Sequence, residues 1–294
     1  MTLLRPYKKL DLLYFYWKVS HLLREFLKNK EIASKIHINN GQFLRRGSKD
    51  KPLFIENFLS LDEDFFKLRS ETVRDEAIKN KLINDALANI WLYFPPSKDV
   101  DFFYACNGEG QGNKIDRFFI DIDRGTISSE KAQEVAKELV KVIKNDKEFN
   151  KLIKFKIKVL WTGSSFHVYL FLNKLVPLEF YHKYLAYSKN EEQPSFISKW
   201  SNEISKKTGI NVSGGHEKLS GMIILDPSGT PSGKLARVPF SFHFNKEKDA
   251  EKAIDGICLP LNEKMLEDKE LVKKLKTITP EKILDKIDLW KKNL

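Results

Sequence analysis

The stretch Phe118-Phe119-Ile120-Asp121-Ile122-Asp123-Arg124-Gly125 is an apolar run that ends in two aspartates and then meets a glycine. It predicts a β-strand, and side chains two positions apart on a strand point to the same face. Asp121 and Asp123 should therefore emerge side by side, whereas Ile120 and Ile122 should face the core. Two parallel carboxylates suit Mg²⁺ or Mn²⁺ better than zinc. For Asp-x-Asp alone, solvated aspartates at a strand end are the commoner explanation.

Composition narrows the classes of partner. The 294 residues are 41% hydrophobic, and 51 Lys and Arg outnumber 40 Asp and Glu, for a net charge of +11. This excess of base favours a polyanionic partner. Cys106 and Cys258 lie far apart and form no Cys-x-x-Cys pair, so we expect neither a structural zinc nor a disulfide framework. No apolar run approaches the length of a membrane span, and no signal-like segment opens the chain, which predicts a cytoplasmic protein.

Hydrophobic periodicity before the Asp-x-Asp strand predicts a helix over 6–28, a short strand over 42–47 and a broken helical segment over 61–91. After that strand we predict one amphipathic helix, with an apolar face made of Ala132, Val135, Ala136, Leu139, Val140 and Ile143. A half-buried strand over 154–161, a turn at 162–165 and a strand over 167–171 follow.

Strand, helix, strand, turn and strand predict an α+β palm, with the helix on one face of the sheet. Asp121, Asp123 and His167 should then lie on the open face. Beyond the palm we predict two helices over 178–209 interrupted around 190–194, and a loop over 211–221. A strand ending at Asp226 follows, and the chain from Leu261 onward should be helical, broken only at Pro280.

Several segments now stand in a recognisable order: Asp121-Ile122-Asp123, Thr162-Gly163-Ser164-Ser165-Phe166-His167, Leu225-Asp226 and Arg237-Val238-Pro239-Phe240-Ser241-Phe242-His243. Arg24-Glu25-Phe26 and Phe43-Leu44-Arg45 lie upstream of them, and Ile257-Cys258-Leu259-Pro260 follows. In this order the segments resemble the archaeo-eukaryotic primase superfamily, most closely the small catalytic subunit of archaeal and eukaryotic primases. The resemblance covers roughly residues 5–265.

The resemblance implies a primase catalytic fold with three parts: an N-terminal α/β portion over 1–115, a palm like an RNA-recognition motif over 116–262, and a helical tail over 263–294. It implies template-directed nucleotidyl transfer by a two-metal mechanism with Mg²⁺ or Mn²⁺, in which Asp121, Asp123 and Asp226 are the catalytic metal ligands. The nucleotide-binding residues that it implies are Gly163, Ser164, Ser165, His167, Arg237, His243 and Arg45.

The partners that follow from this resemblance are single-stranded DNA template and nucleoside triphosphates, with a primase large subunit or a replicative helicase as further candidates. Synthesis of short primers is the function it favours. A gap-filling or repair polymerase of the same superfamily would present the same residues. A nucleic-acid-binding module without catalysis is the alternative from another class, and a metal-dependent nuclease ranks third because it would not explain the Arg237 and His243 segment.

Overall fold

The computed structural model describes residues 11–38, 41–96, 98–187, 194–217, 219–244 and 254–294. The predicted start of the first helix at 6–10 and most of the predicted helix interruption at 190–194 lie outside these ranges. The α-helices are α1 Leu12–Leu23, α2 Glu63–Glu71, α3 Arg74–Lys79, α4 Asp85–Tyr93, α5 Ser129–Asn145, α6 Lys147–Leu152, α7 Leu178–Tyr184, α8 Phe196–Thr208, α9 Leu271–Lys276, α10 Pro280–Asp285 and α11 Ile287–Lys291.

The strands are β1 Ile32–Ile38, β2 Gly41–Arg46, β3 Val100–Ala105, β4 Ile115–Asp123, β5 Phe155–Trp161, β6 Phe166–Val176, β7 Val212–Gly214, β8 Ile223–Asp226, β9 Leu235–Arg237, β10 Phe242–Phe244, β11 Ile254–Ile257 and β12 Leu259–Leu261. The described ranges also contain two short 3₁₀ segments, Ile55–Ser60 and Glu263–Glu267. The predicted α+β class is confirmed by these elements.

Two sheets carry most of the architecture. The first sheet has four antiparallel strands in the order β2-β1-β3-β9. The second, the palm sheet, has six strands in the order β12-β5-β6-β4-β8-β7, and its strands are antiparallel except for the parallel pair β7 and β8. Strands β10 and β11 form a separate ribbon. The Asp-x-Asp strand β4 therefore lies inside the palm sheet, with a partner on each side.

Helix α5 covers one face of the palm sheet. Ser128 begins it by accepting a hydrogen bond from the Lys131 amide, and the apolar stripe predicted from the sequence is buried. The helix packs on β4 and β6, where Ile120 and Ile122 are fully buried. Because successive side chains on a strand alternate between faces, Asp121 and Asp123 are directed to the face opposite α5, as predicted.

The two sheets approach each other on this second face. Phe26, just after α1, packs its ring against Tyr104 of the first sheet and Tyr169 of the palm sheet. Buried Asn107 joins the two layers by donating to the carbonyls of Arg117 and Thr230. These contacts close one end of the space between the sheets and leave the end with the aspartates open.

Some elements were not predicted. Strand β1 was missed, and the short strand β7 lies within a segment that the sequence predicts as a loop. Strand β9, from the region assigned to the palm, pairs with β3 of the first sheet, so the N-terminal portion and the palm share a sheet. The C-terminal tail is helical, with Pro280 as the first residue of α10. Among the described residues, no helix combines the length and apolar character needed to cross a membrane.

Candidate active site

Three polar side chains form a row across the palm sheet. Asp121 on β4 lies directly opposite His167 on β6 and directly opposite Asp226 on β8. Side chains of directly paired residues share a face, so all three are directed to the face away from α5. His167 Nε2 lies 3.5 Å from Asp121 Oδ1. The sheet register therefore brings together three residues that are distant in the chain, with Asp121 and Asp226 more than 100 positions apart.

Asp123 and Asp226 each stand at the end of a strand, where the chain turns. The Gly125 amide donates to Asp123 Oδ1 at 3.1 Å, and the Ser228 amide donates to Asp226 Oδ1 at 2.8 Å. An aspartate that accepts from the backbone two residues ahead forms an Asx turn. Both carboxylates are thus oriented by the turns that follow their strands.

A cavity of about 530 Å³ opens in front of this row. Its palm wall contains the three aspartates and His167, with Ser164 and Ser165 at one side. The facing wall comes from the first sheet and the β10 strand, and includes Phe103, Lys234, Arg237 and His243. One wall is acidic and the other largely basic, an arrangement that suits an anion accompanied by a cation.

Arg237 is the most tightly held of the basic residues. It is only 8% exposed, and its Nη1 donates to Asp101 Oδ1 at 3.0 Å and to the Phe242 carbonyl. Its guanidinium carbon lies 4.8 Å from the centre of the Phe103 ring. A guanidinium fixed in this way presents a planar set of donors to a phosphate with little further loss of side-chain entropy.

His167 is held neutral in this structure. Burial, followed by the positive charges of Arg237 and His243, lowers the pKa of His167 to about 3. The ring edge packs against Phe119, with 4.8 Å between ring centres. Its buried Nδ1 has no hydrogen-bond partner within the described ranges. A buried polar atom of this kind indicates a position where a bound group can complete the site.

The turn at 162–165 is built differently from the expectation. Gly163 has φ +105°, and a Cβ placed there would lie 3.3 Å from both Gly256 Cα and His243 Cβ. The glycine is therefore required for a close backbone crossing with β11. Both Ser164 and Ser165 line the cavity. The Ser165 hydroxyl donates its one proton to the Ile122 carbonyl, so in this arrangement it is not available as a phosphate donor.

Arg45 does not join the site, which corrects the expectation from the sequence. Its strand partner is Ser34, which pairs in turn with Phe102, whereas Arg237 pairs with Phe103. Phe102 and Phe103 are neighbours on one strand and so point to opposite faces of the sheet. Arg45 is therefore directed away from the face that carries Arg237. Its guanidinium pairs with Asp50 at 2.8 Å.

Two basic residues at the cavity had no assigned role in the sequence. Arg124 follows the second aspartate directly, and its Nε donates to the Ser164 carbonyl at 2.8 Å, which ties the Asp-x-Asp turn to the turn at 162–165. Lys234 precedes β9 and lines the facing wall. The sequence did show a basic residue beside the Asp-x-Asp motif and another just before the Arg237 segment. Solvated lysines and arginines are so common on protein surfaces, however, that this position alone does not identify a ligand-binding residue.

The donor set fits a hard divalent cation in its chemistry. Three carboxylates that line one cavity are the oxygen ligands that Mg²⁺ and Mn²⁺ prefer. In the described part of the chain, no group of three or more His, Cys, Asp or Glu residues is arranged so that it could hold a metal ion.

The two cysteines are buried thiols. Burial raises the pKa of Cys106 to about 11 and that of Cys258 to about 12. At neutral pH both are protonated, and a protonated thiol is a poor metal ligand and a poor nucleophile. Neither cysteine lines the cavity between the sheets.

Comparison with known proteins gives a fold match without a sequence match. No family model matches the chain, and no curated protein matches it. Among solved structures, the polymerase domain of Mycobacterium tuberculosis Ligase D, determined in complex with DNA, matches with a TM-score of 0.58 and 12% identity. The match covers 95% of this chain and 88% of that one. Over nearly its whole length, therefore, the chain has the fold of a polymerase domain.

Proposed function

We propose that this chain is a nucleotidyltransferase of the primase-polymerase type, which adds nucleotides to a strand on a single-stranded DNA template. The observation that carries the proposal is the row of Asp121, Asp226 and His167 facing Arg237 across one cavity. Carboxylates of the kind that divalent ions prefer thus face a guanidinium of the kind that binds phosphate, which supports the proposal. The fold match to a polymerase domain and the ordered motifs support the same conclusion.

The chemistry follows from the two walls. Asp121, Asp123 and Asp226 would hold two Mg²⁺ or Mn²⁺ ions, which activate an attacking 3′-hydroxyl and neutralise charge on the departing pyrophosphate. Arg237 would bind the triphosphate through the paired N–H donors of its guanidinium. Ser164 and His243 line the same cavity. Lys234 and Arg124 add positive charge at the cavity. Holding the nucleotide between the walls turns a bimolecular encounter into a positioned attack.

A strand-extending polymerase is the second candidate, and one observation favours it. The matching solved structure is a domain of a ligase. A domain that works beside strand joining is expected to extend existing ends rather than to start new strands. A primase large subunit or a replicative helicase would be a partner of the first candidate only.

The test is a transfer assay. Purified protein is incubated with single-stranded DNA template, Mg²⁺ or Mn²⁺ and labelled ribo- or deoxynucleotides, with and without a primer. Short products without a primer would establish priming, and products only with a primer would establish extension. The D121N/D123N double variant should lose about 10³-fold or more of the rate, because metal ligands act on the transition state.

A matched control separates chemistry from charge. D64N/E71Q also removes two negative charges, at exposed positions of α2. This variant should retain wild-type transfer. If both double variants, or neither, lose transfer while remaining folded, Asp121 and Asp123 are not the catalytic centre. Absence of transfer by the wild type would instead favour a nucleic-acid-binding module.

A further inference from the structure

Asp101 is a buried carboxylate beside the cavity that no motif contains. It lies on β3, is fully buried, and belongs to the same face of the first sheet as Phe103, two residues further on. A carboxylate in such a place is costly unless cations and hydrogen-bond donors surround it. In this otherwise apolar strand, Asp101 must therefore be compensated by the groups around it.

Four donors surround Asp101, two at each of its carboxylate oxygens. Oδ1 accepts from Arg237 Nη1 at 3.0 Å and from the Phe244 amide at 3.3 Å. Oδ2 lies 3.0 Å from His37 Nε2 and 3.2 Å from Lys35 Nζ. One oxygen thus faces the cavity arginine, and the other faces the neighbouring strand β1.

The electrostatics agree with this geometry. Burial by itself raises the pKa of Asp101, but the charge of Arg237, the hydrogen bond from His37 and the charge of Lys35 outweigh it, and the pKa falls well below its usual range. Asp101 is therefore ionised at neutral pH.

We infer that Asp101 is a positioning residue that aims the Arg237 guanidinium at the polyphosphate of the bound nucleotide. The inference rests on the proposed function. Asp101, the Phe242 carbonyl and the Phe103 ring fix the guanidinium on three sides, and Arg237 also lines the cavity. Pre-organisation of this kind strengthens binding because the side chain loses little freedom when the anion arrives.

The first experiment measures nucleotide KM and kcat in the transfer assay. D101N should raise KM roughly tenfold or more and leave kcat within about threefold. A contact that stabilises the bound substrate and the transition state equally affects KM alone. R237K should do the same. The double variant should be no worse than R237K, because both substitutions remove one contact.

Two control variants separate the positioning of Arg237 from the loss of a nearby charge and from a general loss of folding stability. K35Q removes a cation from Oδ2 but leaves Oδ1 on Arg237, so its KM should stay within about twofold of wild type. D146N replaces another buried carboxylate with an amide. Because that carboxylate accepts from Trp200 Nε1 at 2.9 Å, the variant should be less stable, with an unchanged KM. Equal KM increases in K35Q and D101N, or an unchanged KM in D101N, would overturn the assignment.

A second measurement uses the wild-type chain and so does not depend on how well D101N folds. Side-chain ¹⁵N NMR, with R237K to assign the signal, should show slow rotation of the Arg237 guanidinium before any ligand is added. Inorganic tripolyphosphate should then shift that signal. Free rotation in the ligand-free protein would refute the positioning role. Absence of transfer by wild type, with slow rotation and a tripolyphosphate response, would count against the proposed function alone.

Discussion

Asp121 and Asp226 lie directly opposite each other on the antiparallel strands β4 and β8. Like charges at directly paired positions destabilise a sheet, where a single cross-strand pair is worth on the order of 0.2–1 kcal/mol. A strand pair that keeps two carboxylates together, on a face that also carries Asp123, is expected to gain stability from a bound cation. The pairing thus connects the stability of the palm to its ligand.

The first prediction concerns this pair. D226N should stabilise the ligand-free protein by about 0.5 kcal/mol, because it removes the repulsion while Oδ1 can still accept from the Ser228 amide. Mn²⁺ should raise the melting temperature of the wild type and have much less effect on D121N/D226N. Thermal melting in metal-free buffer and with added Mn²⁺ measures both, with NaCl of equal ionic strength as the control. A metal response that persists in D121N/D226N would place the cation elsewhere.

The second prediction concerns the crossing of Gly163 and Gly256. A Cβ on Gly256 would lie 2.8 Å from Gly163 Cα, and φ there is +157°. G256A should therefore lower the free energy of unfolding by about 2–3 kcal/mol through clash and backbone strain. Urea denaturation measures this change.

Gly209, at the end of α8, offers a matched control for that substitution. Its φ is +69°, and a Cβ there meets nothing within 4 Å. G209A should lose only about 1 kcal/mol, the cost of a left-handed backbone without a clash. Equal losses in the two variants would mean that the crossing adds no cost of its own.

The third prediction separates the two arginines that the sequence placed together. R45A should leave nucleotide KM within about twofold of wild type, since Arg45 pairs with Asp50 on the other face of the first sheet. R237A should raise KM more than tenfold, because the buried guanidinium faces the cavity. Steady-state kinetics on both variants decides the point, and a large KM increase in R45A would restore the original assignment.

The fourth prediction concerns pH. The pKa of Asp101 is depressed in the folded protein, so its ionised form adds stability above the unfolded-state pKa of about 3.9. That contribution should be lost as pH falls from about 4 through the lower folded-state pKa. The stability difference between wild type and D101N should be constant from about pH 7 to 5 and shrink below about 4. Urea denaturation at several pH values measures it, and a difference that grows in acid would contradict the assigned direction.

The fifth prediction concerns nucleic acid. The net charge of +11 and the basic wall predict that binding of single-stranded DNA weakens steeply as salt rises, because phosphate contacts release counter-ions. K234Q should lower the slope of log K against log salt by about 0.7, the contribution of one contact to a single strand. Fluorescence anisotropy at several salt concentrations measures the slope. K137Q, in α5 on the face of the palm sheet opposite the cavity, is a control that should leave it unchanged.

The sequence alone determined the local pattern. Alternation around Asp121 and Asp123 gave the strand and its acidic face, the period of α5 gave the buried stripe, and the order of short motifs indicated the α+β class. These features depend on neighbours along the chain, and periods of 2 and 3.6 residues are visible without any tertiary contact.

Tertiary structure alone decided register and partners. The opposition of Asp121 to Asp226, the use of Gly163 in a crossing and the burial of Asp101 beneath Arg237 all join residues that are distant in sequence. Arg45 shows the reason most clearly, since a strand pattern fixes which residues share a face but not which face meets the cavity. That choice depends on the pairing of β1 with β2 and β3, where a shift of one residue would reverse it.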